Sequence, residues 1–214
     1  MPLPTFADNT RPDSMAPTLR AARRQLLVER MAPEREERIL DVGATEQFWY
    51  DTPYAGRVTL LNLLRSAEDT GACRYVQGDA PHIPFPDKSF GLVISNSVIE
   101  HVGDTAHMRR FADEERRVGE RYWVQAPNRY FPVEPHFLFP GFQFLPYPLR
   151  RVVARHWPFS WLHHYGASRE VIDAEVRFLR LPSLGELRRL FPEVVAHREV
   201  VFGITKSFVM HTPR

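Results

Sequence analysis

Two short segments place histidine beside acid: Glu100-His101, and Glu134-Pro135-His136. An imidazole changes charge near neutral pH, and a neighbouring carboxylate can orient it and raise its basicity. His101, His136 and Glu134 are therefore the candidate catalytic residues, suited to taking a proton from a hydroxyl or acid as its oxygen acts as a nucleophile. Each has a plainer alternative. His101 could cap or pack the helix that follows it, and the stretch from Asn128 to Phe137 could be a rigid loop holding its own hydrogen bonds. His156, His163 and His164 form another group, but their spacing fits no zinc pattern and the single cysteine, Cys73, is far away in sequence. No metal site is expected, and Cys73 reads as a core residue.

A second set of polar and small residues recurs at the ends of apolar runs. Ile39–Gly43, Val58–Leu63, Cys73–Asp79, Phe90–Ser95 and Arg121–Gln125 read as strands, which puts Gly43, Asn62, Asp79, Ser95 and Asn128 at or just beyond strand ends. Helical spacing predicts helices over 16–31, stopped by Pro33, and over Thr105–Arg117, with Met108, Phe111 and Ala112 on one face. Strands separated by helical or loop segments imply a parallel sheet covered on both faces, with right-handed crossovers and a ligand at the carboxyl edge. Ser183–Phe191 predicts a helix in which Ser183 is the N-cap and Glu186 completes a capping box. Val194–Val201 and Thr205–His211, linked through residues 202–204, predict an antiparallel pair.

The segment GDAPHIPFPDKSFGLVISNSVIEHV, residues 78–102, resembles the central block of the large bacterial methyltransferase family that includes the ubiquinone and menaquinone methyltransferases. ILDVGA at 39–44 is similar to that family's first motif, and 183–212 is similar to its C-terminal end. The resemblance covers 37–127 and 183–212. It implies a class I methyltransferase fold: a doubly wound, seven-stranded, mostly parallel α/β sheet with its last strand antiparallel. It also implies S-adenosylmethionine as cofactor. By the same resemblance Asp41, Gly43, Ala44 and Thr45 would form the first cofactor loop. Asn62, with Leu63, would stand where an acidic residue binds the ribose hydroxyls. Asp79, flanked by Gly78 and Ala80, would meet the adenine amino group, and Ser95, Asn96 and Ser97 would line the floor near the methionine. The chain departs from the family pattern in having one glycine in its first loop. It also carries Asn62 for a carboxylate, which keeps hydrogen bonding but loses charge assistance.

The length of 214 residues and a hydrophobic fraction of 43% suit one domain, 1–214, with a loose tail over 1–15. Residues 128–182 form an aromatic-rich, proline-broken insertion between the fifth strand and the last helix. Such a segment suits a lid or a pocket for an apolar acceptor. Its aromatics with Arg150, Arg151 and Arg155 would also suit a membrane surface, but the prolines speak against a long amphipathic helix. With 28 basic residues against 26 acidic ones there is no basic stripe, so no nucleic-acid partner is expected. Gly43-Ala44-Thr45-Glu46-Gln47-Phe48 lacks the glycine spacing of a nicotinamide dehydrogenase. No apolar run approaches the roughly 20 residues of a membrane span, and a lone cysteine suits a reducing compartment, so a cytoplasmic location is expected. The expected function is methyl transfer to a small-molecule substrate, at an oxygen of a sugar, lipid-linked or secondary-metabolite acceptor. The alternative is a degenerate fold serving as a non-catalytic scaffold, suggested by the glycine-poor loop and Asn62.

Overall fold

The computed structural model describes residues 15–50, 52–64 and 70–213. The predicted tail thus lies outside the described residues except for Met15, which opens the first helix. In chain order the elements are α1 (Met15–Met31), β1 (Ile39–Val42), β2 (Val58–Asn62), β3 (Arg74–Gln77), β4 (Phe90–Asn96), α2 (Thr105–Val118) and β5 (Gly119–Pro127). There follow β6 (Val133–Glu134), β7 (Phe139–Pro140), α3 (Tyr147–His156), α4 (Trp161–His164), α5 (Arg169–Phe178), α6 (Leu184–Leu190), β8 (Val195–Val201) and β9 (Ile204–His211).

Seven strands form one sheet in the order β3-β2-β1-β4-β5-β9-β8. The first five are parallel, β9 runs antiparallel to β5, and β8 runs antiparallel to β9. This is the doubly wound, mostly parallel α/β sheet that the sequence predicts. The winding reverses between β1 and β4, which opens a crevice at their carboxyl ends. On one face α2 and α6 bury Met108, Phe111, Ala112 and Leu187 against Leu40, Val42, Leu61, Val93 and Val124. On the other, Leu27 and Met31 of α1 pack on Ile39, Leu60, Leu92, Ile94 and Trp123.

The second face is covered in an unexpected way. Among its described residues, the connection from β1 to β2 contains two short 3-10 turns, Glu46–Phe48 and Ala55–Arg57, and no longer helix. Trp49, fully buried between them, packs on that face within the same cluster as α1. Its indole N–H donates to Asp41 Oδ2 at 2.7 Å. A tryptophan carries a large apolar area with one polar handle, so it can plug a sheet face that has a single buried acceptor.

Local signals at the C-terminal end are realised closely. Ser183 Oγ accepts from the Glu186 amide at 3.2 Å, while Glu186 Oε2 accepts from the Ser183 amide at 2.8 Å. Ser183→Ala removes one half of this box and is expected to cost about 1 kcal/mol. Thermal unfolding should then shift down by roughly 2–4 °C, and an unchanged midpoint would show that packing alone holds α6. The β8–β9 link is tighter than predicted. Only Phe202 and Gly203 turn, both at positive φ (50° and 77°), and Ile204 already belongs to β9. Two such residues make the hairpin turn whose twist matches the strands.

Residues 128–182 build a cap with its own core. Phe137 and Phe142 stack with centroids 4.2 Å apart and are enclosed with Ala154, Ile172, Val176, Leu179 and Leu181. Asp173 on α5 binds both Arg151 and Arg155 of α3. Pro148 lies in the first turn of α3, where a missing N–H costs nothing. Many of the aromatics that mark this segment in sequence are therefore its packing. No helix among the described residues is long and apolar enough to cross a membrane.

Candidate active site

At the carboxyl edge, Gly43 holds φ +77°, and a Cβ there would lie 2.5 Å from Val98 Cγ2. The loop after β1 is thus pressed against the segment after β4, and only glycine fits. The Gly43 amide donates to the Leu61 carbonyl at 2.9 Å, and the Gly78 amide donates to the Asn62 carbonyl at 3.0 Å, so the ends of β1, β2 and β3 are laced together. Asn62 Nδ2 donates to the Ala44 carbonyl at 2.8 Å. A carboxylate could not donate there, so asparagine at this position clamps the first loop, a role the sequence reading did not assign to it. Asp79 stands exposed, its Oδ2 3.7 Å from His82 Nδ1. Thr45 and Leu63 are exposed beside this edge and Ala80 is half-buried. Ser97, at φ +57°, donates its amide to the Gln125 carbonyl and its hydroxyl to Gln125 Oε1, both at 3.0 Å.

Three expected cofactor residues sit differently. Asp41 and Ser95 are fully buried and do not line the edge. Asp41 lies beneath the first loop, bonded to Trp49 through one oxygen, and its other oxygen has no partner. Burial pushes its carboxyl up to about 8, against the Trp49 hydrogen bond. Asn96 turns its Oδ1 to the Trp123 indole at 3.3 Å and encloses its Nδ2. The physical reason is strand alternation in a sheet buried on both faces: Asp41 and Ser95 are central strand residues, so their side chains enter a packed layer. Glu46, which the sequence reading passed over, anchors the turn. Its carboxylate accepts from the amides of Thr70, Gly71 and Cys73 and from the Thr70 hydroxyl, at 2.6–3.0 Å. These bonds, the Cys73 amide first, hold it below the usual carboxylate range. Cys73 itself is a core residue, as expected.

The candidate catalytic residues converge. His101 Nε2 lies 3.1 Å from His136 Nε2, with the rings perpendicular. His136 Nδ1 is 2.5 Å from Glu134 Oε1, and the other oxygen of Glu134 accepts from the amides of His136 and Phe137 at 2.9 and 2.8 Å. Glu134 is fully buried, so it fixes the His136 ring. Burial lowers the His136 imidazolium's pKa, but Glu134's charge and hydrogen bond outweigh it and hold the value up to about 9. The bonds of Glu134 to His136 and Phe137 are those of a rigid loop holding its own hydrogen bonds, and that loop sets His136 against His101.

Two partners were not foreseen. His101 Nδ1 lies 2.8 Å from Glu175 Oε1, brought by α5 from a distant part of the chain. Glu100 is fully buried, with no hydrogen-bond partner on either carboxylate oxygen. Its position next to His101 was a usable signal; that of Glu175 depends on how the cap folds. His156 and His163 turn instead to the carbonyls of Val152 and Ala154, each at 2.8 Å.

The histidine pair opens on a cavity of about 390 Å³ that also reaches Ser97, Gln125, Trp161 and Lys206. Trp161 and Tyr165 stack along one wall with centroids 5.9 Å apart. A cleft of about 480 Å³ elsewhere, lined by Arg129, Arg150, Arg177 and Arg180, touches none of the cofactor-edge residues.

Residues 55–121 match the methyltransferase domain family. A curated protein of Encephalitozoon cuniculi, named as a methyltransferase, is 36% identical over 85 residues; the match spans 39% of this chain and 40% of that relative's length. Among solved structures, the 1,6-didemethyltoxoflavin-N1-methyltransferase of Burkholderia thailandensis, with bound 1,6-didemethyltoxoflavin and S-adenosylhomocysteine, is similar at TM-score 0.56 and 13% identity, covering 91% of this chain and 77% of that one. An S-adenosylmethionine-dependent methyltransferase of Thermotoga maritima is similar at TM-score 0.52 and 14% identity, covering 91% and 88%. Residues 55–121 thus carry a methyltransferase-domain segment, in a chain that has the class I methyltransferase fold.

Proposed function

We propose that this protein transfers the methyl group of S-adenosylmethionine to an oxygen of a small-molecule acceptor. The observation that carries this is the shared cavity: Ser97, at the cofactor edge, and the His101–His136 pair open on the same space. The domain match and the likeness to methyltransferase structures support the cofactor. Gly43, Asn62, Asp79 and Ser97 would hold it along the carboxyl edge, with the sulfonium methyl directed at the cavity. Methyl transfer is an in-line displacement, so the site has to hold the acceptor oxygen against the methyl carbon and keep water out. The stacked Trp161 and Tyr165 offer a flat apolar wall for the acceptor's body. The acceptor's hydroxyl would meet the histidine pair, where its proton can leave.

Calorimetric titration with S-adenosylmethionine and S-adenosylhomocysteine, with NAD as control, tests the reading. Micromolar binding of the first two is expected. Asp79→Ala should weaken it roughly tenfold to a hundredfold by removing a charged hydrogen-bond acceptor. A folded protein that binds neither would favour the scaffold reading drawn from the glycine-poor first loop.

A further inference from the structure

We infer that Glu100, His101 and His136 form a site for one divalent transition-metal ion, with an open coordination position facing the cavity. Both imidazoles are arranged as ligands are. His136 bonds Glu134 through Nδ1, His101 Nδ1 lies 2.8 Å from Glu175 Oε1 outside hydrogen-bond alignment, and each ring directs Nε2 at the other across 3.1 Å. An imidazole whose Nδ1–H faces a carboxylate presents its lone pair at Nε2, and the carboxylate strengthens it as a donor. In the metal-free protein a proton occupies this gap, and an entering ion would displace it.

Glu100 supplies the third arm. A buried carboxylate with no partner costs several kcal/mol unless something neutralises it, and neither of its oxygens has a hydrogen bond. The ligand atoms of the three residues lie within 4.8 Å of one another, a spread that bonds of about 2.0–2.2 Å can close with small side-chain adjustments. Glu100, Glu134 and Glu175 bring three carboxyl groups around two imidazoles, a set in which Glu100 can ionise on binding a dication. Two nitrogens and one carboxylate, with no thiolate, suit zinc or ferrous iron. A proton shared between the two Nε2 atoms is the competing occupant of the same gap.

The inference deepens the methyl-transfer reading and rests on it for its role. At the open position an acceptor hydroxyl would coordinate through oxygen and lose its proton to solvent, because coordination lowers its pKa. The alkoxide oxygen then bonds to the methyl carbon as the carbon–sulfur bond breaks. The electron pair goes to sulfur, leaving S-adenosylhomocysteine and a methyl ether.

The test is a calorimetric titration of chelator-treated protein with Zn²⁺, alongside a Co²⁺ titration followed by visible ligand-field absorption. One equivalent per chain is expected. Glu100→Gln should weaken uptake roughly tenfold or more, and His101→Gln with His136→Gln should abolish it, while S-adenosylhomocysteine binding is unchanged in all variants. Failure to take up Zn²⁺ in a protein that still binds S-adenosylhomocysteine, or uptake that survives the double histidine variant, would overturn the site and leave the shared proton. Stoichiometric uptake without S-adenosylhomocysteine binding would uphold the site and remove the methyl-transfer reading instead.

Discussion

Gly43→Ala is expected to weaken S-adenosylmethionine and S-adenosylhomocysteine binding by roughly thirtyfold or more. Two independent terms act at this position. A residue with a Cβ at φ +77° costs about 1–2 kcal/mol. Forcing that Cβ to within 2.5 Å of Val98 Cγ2 adds an overpacking term of about 1–3 kcal/mol. The loop can relieve both only by lifting off the segment after β4, and that lift would break the Asn62–Ala44 clamp and move the backbone meant to face the cofactor. If the loop does not lift, the strain remains in the folded state and appears as a lower unfolding midpoint. Calorimetry and thermal unfolding together therefore account for the whole effect. Val98→Ala in the Gly43→Ala background should recover the steric part but not the conformational part, since the two residues are in contact and their effects couple. A Gly43→Ala protein with affinity within about twofold of the parent and an unchanged midpoint would show that the loop is not pressed where the structure has it.

This contrast between local and assembled information runs through the whole chain. The capping box at Ser183 and Glu186 is a spacing of three residues, and it was readable because every group involved lies within one turn of helix. The strand ends were readable for a similar reason: apolar runs stop where Gly43, Asn62 and Asp79 begin. The parallel sheet covered on both faces followed from the alternation of elements, whereas the strand order came with the structure. Which way a side chain faces was less accessible. Asp41 was placed with the cofactor by the resemblance of residues 39–44, and in the structure it lies in a strand buried on both faces with one oxygen bonded to Trp49. Asn62 looked like a weakened carboxylate, whereas its amide donates a bond that no carboxylate could. His101 and His136 could each be picked out by an acidic neighbour in sequence. Their meeting depends on the cap, and Glu175 reaches His101 only because α5 packs there, on a core of Ile172 and Val176 that no motif announces.

Across pH 5.5 to 6.5 the protein is expected to lose stability on the order of 2–3 kcal/mol as pH rises. Asp41 and Glu115 are both fully buried, and burial pushes each carboxyl up to about 8, from ordinary values of 3.8 and 4.5. In this window the unfolded chain has released both protons while the folded protein still holds them. The folded state therefore binds more protons, and stability must fall with rising pH at about 1.4 kcal/mol per pH unit for each group. The fall continues until the folded-state carboxyls ionise near pH 8. Carboxylates held low in the fold, such as Glu46 and Glu199, act with the opposite sign, but only in acid, below the ordinary carboxylate range. The stated window lies above that range, and His136, held up to about 9 from an ordinary 6.5, adds a smaller share of the same sign near its upper end. Glu100, also raised by burial, adds a share of the same sign. Asp41→Asn keeps an oxygen for the Trp49 indole and places an amide where the protonated acid carries its hydroxyl. It should remove about 1.4 kcal/mol per pH unit from the slope, and Glu115→Gln should remove a similar amount. Urea denaturation at several pH values measures this directly. A slope that stays the same in the double variant would mean that these two carboxylates ionise inside the fold, which requires water or a counter-charge reaching the layer beneath the first cofactor loop.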